Sequence, residues 1–158
     1  CKKIDHFITS KKLTVRVHAR RFWHENLIFK KEFPNLDIDG GYKPIHKLLS
    51  NYKLVVHSYL STGYLETLAS NFPTIVFANL DNCLLNKDTL NGLKILSKAK
   101  IFHSNYESAA DFINKNYENI DDWWKSDITQ IARIAFCKKY ARKKNNKINN
   151  LIDILRTH

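Results

Sequence analysis

Ser58, Ser61, Thr62 and Gly63, with Glu66 close behind, are the residues of this chain whose types and spacing could do chemistry. Small residues at the start of a helix leave its first backbone N–H groups uncovered, and these donors together with the positive end of the dipole form a site for an anion. His57 and Ser58, at the head of the stretch, are further candidate contacts. The alternative is an ordinary tight connection capped by Thr62 or Ser61, because the stretch has a single glycine and no repeated-glycine fingerprint.

The flanking runs say what must position these residues. Lys53–Val56 and Thr74–Phe77 are short, apolar and β-branched, and each reads as a buried strand. Between them Leu65, Leu68, Ala69 and Phe72 recur at helical spacing as one apolar stripe, with Glu66, Thr67 and Ser70 facing elsewhere. Asn71-Phe72-Pro73 ends the helix. The stretch is therefore the turn and helix of a β-α-β unit, and α/β proteins meet their ligands at the carboxyl ends of such strands. By the same rule Arg16 and His18, near the end of an alternating strand Leu13–His18, are candidates. Arg16, Arg20 and Arg21 either fork onto phosphate oxygens or decorate the helix that follows. Asn79, Asp81 and Asn82, in the polar loop after Phe77, are candidates too, although loops carry such residues anyway.

The rest of the chain alternates in kind. A helix-like pattern runs from Arg20 to Phe33, a short strand over Leu36–Asp39, a Gly40-Gly41 turn, and a helix from Pro44 to Ser50. Leu90, Leu93 and Leu96 mark a helix leading into a strand at Ile101-Phe102. Ser104 to Glu107 has the spacing of a capping box, before a helix that buries Ala109, Ala110, Phe112 and Ile113. Asp121 or Asp122 suits a helix cap, Trp123 and Trp124 suit core anchors, and Ile128, Ile131, Ala132, Ala135 and Phe136 form the stripe of a packed helix reaching about Tyr140. The fold class expected is α/β: a Rossmann-like, mainly parallel sheet with helices on both faces and C-terminal helices. Residues 1–142 make one domain, and 143–158 a basic linker and short terminal helix.

Composition narrows the partners. With 44% hydrophobic and 12% aromatic residues the chain can bury one real core. The formal charge of +11 and pI near 9.6 favour nucleotides, nucleic acid or an acidic membrane surface. Three cysteines without a C-x-x-C pair argue against a disulfide framework, and seven histidines without H-x-x-x-H spacing argue against a metal site. No apolar run is long enough to span a membrane and no signal peptide opens the chain, so the cytoplasm is the expected compartment, with peripheral contact at the inner face of an anionic membrane. A start at Cys1 and the lack of any Met suggest a piece of a longer protein.

The run Tyr52–Ala69, continued by Asn71–Ile75, resembles the carboxyl-terminal domain of bacterial surface-carbohydrate transferases of the GT-B type. Ala109-Ala110, the Trp123-Trp124 pair, the Phe136 to Ala141 helix and Arg16 after Leu13-Thr14-Val15 look similar as well. The resemblance implies one half of a GT-B fold, the nucleotide-sugar-binding domain of a glycosyltransferase for surface polysaccharide or glycoconjugate synthesis. A missing N-terminal domain of the same chain would hold the acceptor and the catalytic base, so the residues present would fold without catalysing transfer. Arg16, Ser61, Thr62 and Gly63 would meet the donor phosphates and Glu66 the ribose, with His18, His57, Ser58, Asn79 and Asp81 as further donor contacts. The alternative for Glu66 is a dipole or capping role in the first turn. No cofactor or metal is implied, since the activated sugar is itself substrate. Other readings are a sugar-nucleotide epimerase on the same scaffold and a non-catalytic basic nucleic-acid-binding module, the latter disfavoured by the lack of the usual RNA-binding motifs.

Overall fold

The computed structural model describes residues 13–18 and 24–141. Arg20, Arg21, the linker and the short terminal helix expected from the sequence lie outside them.

Among the described residues there are two parallel sheets. Strand β1 (Thr14–Arg16) pairs with β2 (Asp37–Asp39) around helix α1 (Glu25–Glu32). The second sheet has the order β3-β4-β5, from Val55–His57, Thr74–Phe77 and Phe102–His103. Helix α2 (Thr62–Ala69) joins β3 to β4, and α3 (Lys87–Lys98) joins β4 to β5. Three more helices follow: α4 (Tyr106–Asn116), α5 (Ile120–Lys125) and α6 (Asp127–Tyr140). This is the expected Rossmann-like α/β architecture, parallel strands flanked by helices and closed by C-terminal helices, although the strands divide between two sheets. The helix expected from Pro44 is two 3₁₀ turns, Ile45–Lys47 and Leu49–Asn51.

Strand β4 is the centre of the core. Its side chains alternate between faces, so Val76 joins Tyr64, Leu68, Leu93, Leu96, Phe102, Trp124 and Phe136 while Ile75 packs with Ala109 and Ile113 on the other side. Helices thus cover both faces.

Four expectations about faces and caps are corrected. In α2 the buried arc is Tyr64, Thr67 and Leu68, not Leu65, Ala69 and Phe72, which are half-buried. In α6 it is Thr129, Ala132 and Phe136, while Ile128, Ile131 and Ala135 face solvent. Helix α4 is capped by Asn105, whose Oδ1 accepts from the Ser108 N–H at 2.8 Å, instead of by Ser104. Asp121 and Asp122 lie inside the first turn of α5, whose N-cap is Asn119.

The end of α2 matches its sequence. Asn71 takes the left-handed conformation (φ 53°) that asparagine tolerates, its N–H donating to Leu68 O and that of Phe72 to Thr67 O. These are the two bonds of a Schellman cap, and Pro73 launches β4. The indole N–H of Trp124 donates to both Asn71 O and Oδ1 at 3.1 Å, tying α5 to this cap. Trp123 likewise donates to Ala99 O at 3.0 Å, so both tryptophans are core anchors.

Candidate functional site

Helix α2 opens at the carboxyl end of β3. Ser61, in extended backbone, is its N-cap residue and Thr62 its first, and no side-chain hydrogen bond caps the turn. The cap expected from Ser61 or Thr62 is therefore not made. No acidic residue occupies the first turn either, so its orphan N–H groups keep their capacity for an anion.

Gly63 lies against the imidazole of His57, the last residue of β3. A Cβ there would lie 3.3 Å from Cε1 of His57 and 3.6 Å from both His57 Nδ1 and Ser61 Oγ, so the imidazole would have to give by a few tenths of an ångström to admit a side chain. The imidazole is held from the other edge. The Thr67 hydroxyl donates to Tyr64 O at 3.1 Å, and it therefore accepts from His57 Nε2, also at 3.1 Å. A neutral imidazole has one N–H, which leaves Nδ1 as an acceptor beside Gly63.

Burial pushes the His57 pKa down to about 4. The folded chain then binds fewer protons than the unfolded one between that value and the ordinary 6.5, and stability rises with pH across this window. Acidifying from pH 7 to 5 should cost about 2 kcal/mol through His57 alone, given its pKa near 4. His103, lowered chiefly by burial, adds in the same direction. Urea unfolding at the two pH values checks this; His57→Gln, which keeps a donor for Thr67, should reduce the difference.

The other candidates are distributed as follows. Glu66 is exposed and lies off the buried arc, as its spacing predicts, but as the fifth residue of α2 it stands just past the first turn. Ser58 is exposed in the same connection. Asn79 and Asp81 follow β4, the parallel neighbour of β3, and so share its carboxyl edge. Asn79 Oδ1 accepts from the Asp81 N–H at 3.0 Å, opening a 3₁₀ turn, and both residues are exposed. Arg16 and the exposed His18 belong to the β1-β2 half instead. The Arg16 guanidinium pairs with Asp39 and donates to Lys43 O and to Gly41 O at 3.1 Å, so reaching a phosphate would require giving these up.

One constellation had no counterpart in the sequence reading. Buried His103 accepts at Nδ1 from Ser108 Oγ (2.8 Å) and donates from Nε2 to Lys100 O (3.0 Å), at a cleft of about 340 Å³ whose walls include Lys100, Asp111 and Lys115. The carbonyl fixes the tautomer. The only sequence signal was a histidine at a strand end with a serine in the next helix.

A family model described as LIC12162 family transferase matches residues 6–155, nearly the whole chain. The chain belongs to that family. Members of the LIC12162 family are transferases. No curated protein and no solved structure matches the chain.

Proposed function

We propose that this chain is the donor-binding part of a glycosyltransferase, holding a nucleotide-activated sugar for surface polysaccharide or glycoconjugate synthesis in the cytoplasm. The observation that carries the reading is the uncapped first turn of α2 at a parallel-strand carboxyl edge, with the Glu66 carboxylate exposed one residue beyond it. Phosphate oxygens accept from the N–H groups of Thr62, Gly63 and their neighbours, while a carboxylate farther along the helix suits ribose hydroxyls, from which it can accept two hydrogen bonds. In such a transfer the sugar's bond to phosphate breaks, and the helix N–H groups stabilise the charge growing on the departing diphosphate. The acceptor and its base belong to another domain of a GT-B pair.

Calorimetric titration of the chain with nucleoside diphosphates and nucleotide sugars tests the assignment. One base should be preferred, and affinity should fall only mildly with salt. Thr62→Val should weaken binding while leaving stability within about 0.5 kcal/mol, because the exposed hydroxyl caps nothing. Affinity unchanged by Thr62→Val would remove this hydroxyl from the site, and failure of every nucleotide to bind would remove the site itself.

A further inference from the structure

Helix α6 turns three isoleucines to solvent: Ile128 is 70% exposed, Ile131 68% and Ile134 54%. Ile95 of α3 is 40% exposed, and between the helices runs an apolar groove of about 280 Å³ lined by Ile95, Lys98, Ala99, Ile128, Ile131 and Ala132. Single exposed apolar residues are ordinary, but a contiguous strip marks an interaction surface. Charge says of what kind. Helices α3 and α6 carry six basic side chains and two acidic ones. Of the two acids, Asp88 is engaged by Lys139 and by the Tyr140 hydroxyl, and Asp127 opens α6 next to Ile128, at one end of the strip. Lys98 lines the groove itself, and Lys94 and Lys138 are exposed on the same two helices. Arg142, Lys143, Lys144 and Lys147 follow directly in the sequence.

An apolar strip in a basic field is complementary to one surface in particular. Isoleucines enter the boundary between headgroups and acyl chains, and lysines lay their stems along the apolar face while their ammonium groups meet anionic headgroups. Among the described residues no helix is long and apolar enough to cross a membrane. We propose that the α3–α6 face, centred on Ile128, Ile131 and Lys98, docks peripherally on an anionic lipid surface. This does not depend on the nucleotide reading.

Co-sedimentation of the chain with vesicles tests it, comparing phosphatidylcholine alone with phosphatidylcholine containing phosphatidylglycerol. Binding is expected only to the anionic vesicles, and it should weaken at high salt as the screening length shrinks. Ile128→Asp and Ile131→Asp should each lower partitioning roughly tenfold, with unchanged thermal melting because both side chains are already in water. Lys98→Glu should lower it as well. Equal binding to both vesicle types, no binding to either, or binding that survives the double isoleucine variant would overturn the proposal. So would a lipid-free dimer in analytical ultracentrifugation that Ile131→Asp dissolves, which would give the groove to a second copy. Vesicle binding that appears only after removal of residues 151–158 would give it to the chain's own apolar end.

Discussion

Trp124→Ala is expected to destabilise the chain by about 3–5 kcal/mol, the range for removing a buried tryptophan. The side chain is 4% exposed and sits in the same cluster as Leu68, Leu96 and Phe136. Its ring lies 5.4 Å from that of Trp123. Removing it opens a cavity and also strips the Asn71 carbonyl of its indole donor, which adds the cost of an unsatisfied polar group. Because Asn71 is the cap of α2, the loss should reach the helix that carries the candidate anion site. Trp124→Phe separates the two contributions: it keeps most of the packing and deletes only the donor, so its cost should fall well below that of alanine. Urea unfolding followed by far-ultraviolet circular dichroism measures both. Equal losses from the two variants would mean that the hydrogen bonds, not the packing, hold α5 in place.

The contrast between α2 and α6 shows what was legible in the sequence. Strand β4 was legible because a buried parallel strand leaves a continuous apolar run; β3 was placed to within two residues by its β-branched run, but it is not buried as expected, since at the edge of its sheet it leaves Val56 exposed. The end of α2 was legible because Asn71 and Pro73 are local signals that act on the backbone directly. Helical periodicity, by contrast, says which residues share a face and not which face turns inward. On α6 two arcs are apolar, and the buried one includes Thr129, admitted to the core because its hydroxyl donates to Ser126 Oγ at 3.1 Å, the Ser126 hydroxyl itself donating to Trp123 O. Arg133 beside it reaches Leu68 O at 3.1 Å, which fixes the rotation of the helix. Such partners are distant in sequence and leave no pattern. The same holds for Thr67, whose burial depends on His57 across the strand-to-helix connection. At the candidate site the small residues and Glu66 were therefore visible, whereas the neutral imidazole beneath Gly63 and the His103–Ser108 pair emerged only from the folded geometry.

Glu66→Gln is expected to damage donor binding far more than folding. Position supplies the reason. Glu66 is exposed, off the arc of Tyr64, Thr67 and Leu68, and beyond the first turn, where a carboxylate would interact most strongly with the dipole. Stability should thus change by no more than about 0.5 kcal/mol. Glutamine keeps the size but gives up the charge-assisted bonds to ribose hydroxyls, a loss of roughly 1.5–3 kcal/mol per bond, or about ten- to a hundredfold in affinity. Titration with a nucleoside diphosphate and with its 2′-deoxy analogue tests the hydroxyl at which one such bond would end. If Glu66 accepts from it, the deoxy compound should bind the parent chain more weakly, and the two compounds should bind Glu66→Gln almost alike. A melting temperature that falls sharply while donor affinity holds would instead assign Glu66 to the helix, and a deoxy penalty that persists undiminished in Glu66→Gln would place that hydroxyl against another residue.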